Sequence, residues 1–298
     1  MTPQQMTAVS LPASPKRRSR SLVRFRRNPA AIIGLIVCVL IVLAALLAPA
    51  LAPHDPNFQF PEGLTLEGAP LPPGGPYLLG TDLLGRDLLS RLIWGARASL
   101  TVGFVANGAA VLLGLFIGAL GALTRGWVGT LIMRFTDVML AFPVLLLAIA
   151  LTAILKPSLW IVALVIALIN WVPIARVVYS EVAALREREF VEAANAVGAS
   201  GGRILTRHIL PHLIPTALVW GSLGVSTTVL LEATLSFLGV GVQPPTPSWG
   251  GIINESQSYL TVAPWLVLAP GTAILLTSLG FNLLGEGLRD ALDPRGGV

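Results

Sequence analysis

The stretch "AAIIGLIVCVLIVLAALLAPALA", residues Ala30 to Ala52, holds 23 residues without a single charge. A helix that crosses the hydrocarbon core of a bilayer needs about 20 consecutive apolar residues. The composition of the whole chain supports the same interpretation. Of its 298 residues, 54% are hydrophobic and only 12% are charged, whereas a typical soluble domain has about 25% charged residues. The sequence therefore predicts an integral membrane protein.

Apolar runs of similar length follow along the chain. They cover residues 98–123, 135–155, 158–178, 213–238 and 264–284. None of these runs shows the alternation of apolar and polar residues that is typical of the strands of a membrane β-barrel. The first run, placed at residues 29–52, is longer than the apolar region of about 7–15 residues in a cleaved signal peptide. We therefore expect an all-α integral membrane protein with six transmembrane helices and an uncleaved first span.

The distribution of basic residues predicts the orientation. Seven of the twelve residues from Lys16 to Arg27 are basic, and no acid precedes Asp55. Short cytoplasmic segments carry an excess of Lys and Arg. The tails 1–28 and 289–298 are therefore predicted to be cytoplasmic, and the loops 53–97 and 239–263 extracytoplasmic, in a plasma (inner) membrane of bacterial type. Anionic membrane lipids explain the net charge of +5 without a nucleic acid.

The predicted extracytoplasmic segment 53–96 begins as a loop rich in Pro and Gly and ends in an amphipathic pattern. Leu84, Leu88 and Leu92 are spaced four residues apart, and Asp87 and Arg91 are spaced to form an i,i+4 ion pair. Two interpretations fit this pattern. The segment is either a helix on the outer membrane surface or an extension of the second span.

Within the second span, Gly114 and Gly118 form a pair of small residues four positions apart. Small residues at this spacing let two membrane helices approach closely. We therefore expect a tightly packed helix at this face.

A polar stretch, 181–211, separates the fourth and fifth spans. Phe190, Ala193, Ala194 and Val197 form one apolar stripe at helical spacing. Gly198 suits a left-handed helix end, and two further residues frame a second short helix, with Ser200 as its N-cap and Pro211 as its end. This predicts a cytoplasmic helix–turn–helix, which either rests on the membrane surface or docks on a partner.

Three polar residues inside the predicted spans are candidates for function. Asp137 lies three residues after Arg134, which predicts an ion pair between them. Glu232 has no basic neighbour in sequence, and we expect a structural partner on another helix rather than substrate contact. Asn170, close to Pro173, is expected to reshape the end of the fourth span.

The polar stretch also carries a motif. "EAANAVG" followed by "HILP" resembles the EAA loop of the membrane subunits of ABC importers, in which E-A-A, three residues, Gly and nine residues precede I-x-L-P. His208 stands where that family has isoleucine. The matching residues are Glu192, Ala193, Ala194, Gly198, Leu210 and Pro211.

The resemblance extends over most of the chain. "RRNPAAIIGL" (26–35), "LGTDLLGRDLLSRLIWGARASL" (79–100), "LAFP" (140–143), "SFLGVGVQPPTPSWG" (236–250) and "FNLLGEGLRDALDPR" (281–295) occur in this order. Together they resemble the C-type permease of dipeptide/oligopeptide importers, whose relatives move nickel or glutathione.

This resemblance implies a type I ABC importer permease with a five-helix core at 97–288 and a coupling loop at 181–211. It implies a second homologous permease chain, an extracytoplasmic substrate-binding protein and two ATPase subunits that bind ATP and Mg. This chain would form half of a pathway for peptides, with nickel or glutathione as alternatives. The outer loop 239–263 either contacts the binding protein or braces the mouth of the pathway.

No catalytic residue, metal site or cofactor site is predicted in this chain. A phosphate-binding loop needs a lysine after a glycine-rich turn, and the two lysines, Lys16 and Lys156, lack that setting. His208 and His212 have a ligand spacing, but no acid or cysteine accompanies them. ATP hydrolysis is therefore expected on partner subunits. An ion-coupled secondary transporter, which is built from repeats with polar midplane sites, is the main rival class.

Overall fold

The computed structural model describes residues 17–124 and 126–292, and these residues are mostly helical apart from a long loop at 52–87. The predictions made for residues 1–16, Arg125 and 293–298 lie outside the described residues. In chain order the α-helices are α1 (Arg17–Arg27), α2 (Pro29–Leu46), α3 (Ala48–Leu51), α4 (Leu88–Leu123), α5 (Trp127–Ala141), α6 (Val144–Leu155), α7 (Leu159–Arg186), α8 (Glu189–Ala196), α9 (Gly201–Ile204), α10 (Leu210–Phe237), α11 (Trp249–Ser256) and α12 (Trp265–Leu292).

Within the described residues, five helical segments are long and apolar enough to cross a membrane. They are α2, α4, α7, the continuous segment Gly201–Phe237 that ends in α10, and α12. A sixth crossing exists only if α5 and α6 together count as one span, since they meet at an angle of 91°. The all-helical membrane architecture is confirmed, with this bent pair in the place of the third span.

The apolar run 135–155, predicted to be one span, is therefore divided between two helices. Phe142 and Pro143 separate α5 from α6. Proline lacks a backbone N–H, and its ring pushes the preceding residue out of the helical region. Phe142 accordingly has an extended backbone, with ψ at 135°. The "LAFP" motif thus breaks this span.

Most of the amphipathic pattern at 84–92 belongs to the second span. From Leu88 onward it is part of α4, which continues to Leu123 as one helix and so extends the span, whereas Leu84 lies in the turn before it. Asp87 caps this helix, its carboxylate accepting a hydrogen bond from the Ser90 amide at 2.9 Å. The predicted Asp87–Arg91 ion pair is wrong, because the capping geometry turns the Asp87 carboxylate toward Ser90 and Arg91 pairs elsewhere.

The glycine pair in α4 lies against α7. A Cβ on Gly118 would come within 2.4 Å of the Ala175 carbonyl oxygen, and one on Gly114 within 2.7 Å of the Ile174 side chain. Real Cβ atoms do not approach other atoms this closely, so the two helix backbones touch at these positions. The predicted close approach is confirmed.

The N-terminal span joins this core through α12. An ideal Cβ on Gly34 of α2 would lie 2.8 Å from the carbonyl oxygen of Gly280 in α12. α10 packs between α4 and α12, with Val225 and Val229 fully or almost fully buried. The result is a bundle in which α4 contacts α7, α10 and α2.

Candidate functional site

The segment that follows α7 forms a short helix with a defined end. α8 ends at Ala196, and two residues later Gly198 has a φ of +79°, which favours glycine. The Gly198 amide donates to the Asn195 carbonyl at 2.9 Å, and the Ala199 amide donates to the Ala194 carbonyl at 3.0 Å. These two bonds make a Schellman motif. The left-handed end expected at Gly198 is confirmed.

The two faces of α8 have different environments. Val191 is 1% exposed, and Ala194 packs against the core cluster formed by α4, α7 and α10. Glu192 and Ala193 are exposed, and Val197 is 86% exposed. The predicted stripe is thus divided, because Ala194 points toward the protein while Ala193 and Val197 point away from it.

Aromatic contacts fix α8 to the base of α10. The Phe190 ring stacks on the His212 ring, with centroids 5.5 Å apart and planes 16° from parallel. The Nδ1 atom of His212 lies 2.7 Å from the His208 carbonyl oxygen, so this nitrogen is engaged locally. Among the described residues, no group of three or more His, Cys, Asp or Glu side chains is arranged to hold a metal ion.

The second short helix does not end at Pro211 as predicted. Ser200 caps α9, which confirms that N-cap. Residues Leu205–Ile209 then form a π-helical turn that continues directly into α10, with Pro211 in the first turn. Proline needs no N–H at that position, so the helix passes through it. Leu210 and Pro211 are exposed, whereas Ile209 is fully buried.

A cavity of about 510 Å³ lies behind α8. Arg186, Glu187 and Asn195 supply its polar groups, and Val191 and Ile204 are among its apolar walls. The Arg186 guanidinium also donates to the Ala122 carbonyl at the end of α4. This bond joins the end of α7 to the end of α4 beside the cavity.

Glu232 is fully buried inside α10. One carboxyl oxygen accepts a hydrogen bond from the Ser99 hydroxyl of α4 at 2.8 Å. The other accepts from the Ser236 hydroxyl at 2.7 Å. These bonds join α4 to the C-terminal part of α10.

The other two intramembrane candidates have partners that the sequence did not indicate. Asp137 pairs with Arg176 of α7, and the predicted pair with Arg134 is wrong because the Asp137 side chain faces α7. Asn170 donates from Nδ2 to the Thr228 hydroxyl of α10 at 3.4 Å. The expectation that it lies near the end of a span is also wrong, since α7 continues to Arg186.

Sequence reasoning missed a buried amide in the second span. Asn107 is 3% exposed, and its Nδ2 atom donates to the Gly221 carbonyl of α10 at 2.7 Å. A Cβ on Gly224 would come within 2.0 Å of the Asn107 oxygen. The only signal in the sequence is an amide in an apolar run, which does not indicate a partner.

Sequence reasoning also missed an ion-pair cluster on the predicted extracytoplasmic side. Arg86 Nε lies 2.6 Å from an Asp82 oxygen, and Arg86 Nη2 lies 2.8 Å from Glu255 of α11. Arg91 lies 3.1 Å from the same Asp82 oxygen and 2.9 Å from the same Glu255 oxygen. Two arginines and two acids thus join the start of α4 to the outer loop.

Trp249 fixes the outer loop to α4 at a second place. Its side chain is 2% exposed, and its indole N–H donates to the Leu92 carbonyl at 3.0 Å. The second half of the loop therefore braces the start of α4, while Gln243 to Thr246 remain exposed.

Comparisons with known proteins identify the family. The model of the family described as binding-protein-dependent transport system inner membrane component matches residues 110–297. A second model, the N-terminal TM domain of oligopeptide transport permease C, matches residues 18–73.

Curated relatives match along almost the whole chain. The dipeptide transport system permease protein DppC of Alkalihalophilus pseudofirmus is 43% identical over 272 residues, which cover 91% of this chain and 88% of the relative. The di/tripeptide transport system permease protein DppC of Pseudomonas aeruginosa is 43% identical over 91% of this chain and 90% of the relative. The glutathione transport system permease protein GsiD of Pectobacterium atrosepticum is 38% identical over 91% of this chain and 89% of the relative.

A solved structure shares the fold. One chain of the MetNI methionine ABC transporter, in an inward facing conformation, aligns with a TM-score of 0.56 at 20% identity, covering 69% of this chain and 98% of that chain. The apolar helices and the matched family make this protein a multi-pass inner-membrane protein. It belongs to the inner membrane components of binding-protein-dependent transport systems, as a C-type permease of the dipeptide/oligopeptide ABC importer family.

Proposed function

We propose that this chain forms half of the translocation pathway of an ATP-driven peptide importer. A second, homologous permease supplies the other half, and an extracytoplasmic binding protein delivers the peptide. Two ATPase subunits bind ATP and Mg on the cytoplasmic side. The support for peptides is the 43% identity, over 91% of this chain, to relatives named as dipeptide and di/tripeptide permeases.

The coupling surface in this proposal is the outward face of α8. The observation that carries it is the 86% exposure of Val197 beside the exposed Ala193, on a helix whose opposite face is buried at Val191. Burying an exposed valine contributes about 1.5–3 kcal/mol, so this apolar face favours a protein partner. We include Glu192, Leu210 and Pro211, which are also exposed, in the proposed coupling surface.

The rigidity of the loop supports a lever function. The Schellman motif at Gly198, the Phe190–His212 stack and the buried Val191 hold α8 on the ends of α7 and α10. A force applied to α8 by an ATPase that closes on ATP would thus reach these helices without first bending the loop. In this proposal the movement changes the pathway from inward-facing to outward-facing.

Uptake of labelled cargo tests the function. Cells with and without this chain are given a labelled dipeptide, labelled glutathione and radioactive nickel. We expect loss of the chain to abolish dipeptide uptake alone. Dipeptide uptake that is unchanged without the chain contradicts the proposed substrate class.

Glutathione is the second candidate, because a relative named as a glutathione permease is 38% identical over 91% of this chain. Loss of glutathione uptake alone would assign the chain to that cargo, and loss of nickel uptake alone would assign it to the metal. In either case the architecture and the coupling surface are unaffected.

A further inference from the structure

A small cavity lies under the outer loop, next to the ion-pair cluster. Its volume is about 210 Å³. Arg91 and Glu255 supply its charged groups, and Gln243, Thr246 and Ser248 its neutral polar groups. Prolines 244 and 247 stiffen its outer wall. The exposed loop residues Gln243 and Thr246 place the cavity near the extracytoplasmic surface of the protein.

Arg91 has hydrogen-bonding capacity that the protein does not use. The side chain is 2% exposed, yet its Nη1 atom has no hydrogen-bond acceptor, while its Nε atom lies 3.1 Å from the Asp82 carboxylate with which it pairs. The Nη2 atom donates to Glu255 at 2.9 Å. A buried donor without a partner is costly, so this arginine requires an acceptor that the chain does not supply.

The neighbouring acids do not meet this requirement. One Glu255 oxygen is shared between Arg86 and Arg91, and one Asp82 oxygen is shared between the same two arginines. Two positive and two negative charges therefore balance, and both acids are already engaged. The Nη1 atom of Arg91 thus remains available, and a carboxylate oxygen next to it would accept a charge-assisted hydrogen bond.

We propose that this cavity receives the terminal carboxylate of a peptide on the extracytoplasmic side, with Arg91 as the binding residue. This inference rests on the proposed peptide import. The cavity is smaller than the roughly 300–1,000 Å³ of pockets that enclose a drug-sized ligand. It therefore accepts one end of a peptide and leaves the rest outside, which lets it bind peptides of different sequence.

Binding to the importer complex in nanodiscs, without the binding protein, tests this site. The probes are the dipeptide Ala-Ala and its C-terminal amide, which lacks the carboxylate. We expect the complex to bind Ala-Ala about 10- to 100-fold more tightly than the amide, as for the loss of a charged hydrogen-bond partner. In the R91Q variant this preference should vanish.

Arg86 offers a matched control. It pairs with the same two acids but does not line the cavity. The R86Q variant should therefore keep the preference for the carboxylate even if its stability falls. Equal loss of the preference in R86Q and R91Q would overturn the proposal, since it would assign the effect to the ion-pair cluster as a structural unit.

A second variant leaves the ion pairs unchanged. Thr246 is exposed and lies on the cavity wall, so T246W narrows the cavity without touching Arg91. We expect T246W to lower the affinity for Ala-Ala to that of the amide. If wild-type protein binds both probes equally, or T246W keeps the preference, the cavity holds water only and the proposal is wrong.

The outcome separates this inference from the proposed function. Dipeptide uptake that depends on the chain, combined with binding that ignores the carboxylate, contradicts only the role of Arg91. Dipeptide uptake that does not depend on the chain contradicts the proposed function itself.

Discussion

Glu232 shows how an acid is accommodated in an apolar helix. It is fully buried, and serine hydroxyls take the place that a basic partner would occupy. Burying a polar group is costly unless it is hydrogen-bonded, and here both carboxyl oxygens have donors. Ser99, one of these donors, also accepts a hydrogen bond from the Trp249 amide at 3.4 Å. The carboxyl group thus helps to hold the outer loop.

Replacing Glu232 with Ala should destabilise the outer end of the bundle. Ser99 and Ser236 would lose their acceptor, and each buried group left without a partner costs about 1–3 kcal/mol. We expect the free energy of unfolding in detergent to fall by at least about 2 kcal/mol. Thr234→Ala is the control, because its hydroxyl is exposed and bonds only to the Leu230 carbonyl. Equal stability of E232A and wild type would show that the serines find other acceptors.

At the scale of elements, glycines and prolines determine where helices end, bend or touch. Pro143 breaks the third span because it lacks an N–H, whereas Pro211 is tolerated in the first turn of α10. Gly118 lets α4 touch α7, and Gly198 ends α8 with a positive φ. The same residue types thus have different roles according to their position in the helix.

Gly198 can be tested against a glycine of the next helix. An alanine at 198 would have to adopt a φ near +79°, which costs roughly 1–2 kcal/mol for a residue with a Cβ. The change should therefore displace α8 and lower dipeptide uptake about fivefold or more, while the protein stays in the membrane.

The matched variant is Gly202→Ala. Like Gly198, Gly202 has no atom within 4 Å of an added Cβ, but it has no positive φ. Alanine is favoured over glycine inside a helix, so uptake should be unchanged. Uptake and the amount of ATPase chain that co-purifies are the measurements. If G198A and G202A behave alike, the geometry of this turn is not needed for coupling.

At the scale of the whole molecule, the helix–turn–helix and the outer loop lie at opposite ends of α10. Val197 projects from the helix–turn–helix, and Gln243 lies at the tip of the outer loop. Counting the helical spans between them predicts that the two residues lie on opposite sides of the membrane. The basic segment before α2 predicts that Val197 is on the cytoplasmic side.

Cysteine labelling tests this orientation. The natural Cys38 is 4% exposed within α2, so a cysteine introduced at an exposed position is the reactive one. In intact cells, a membrane-impermeant maleimide should label Gln243→Cys, and it should label Val197→Cys only after the membrane is permeabilised. The reverse pattern would invert the proposed topology.

The sequence was sufficient to predict properties that depend on neighbouring residues. Long uncharged runs identified the spans, because a helix that crosses the hydrocarbon core must be apolar along its whole length. The positions of Gly198 and Ser200 predicted a helix end and a helix start, and Gly118 predicted close helix contact. These features depend on backbone conformation or on side-chain size, both of which are local.

Only the tertiary structure decided which distant side chains meet. Asp137 pairs with Arg176 rather than the nearby Arg134, Glu232 binds Ser99, and Arg91 faces Glu255 instead of Asp87. The angle of 91° between α5 and α6 was also not evident from hydropathy. Such pairings depend on how helices far apart in sequence cross, and hydrophobic burial, which has no direction, does not specify that crossing.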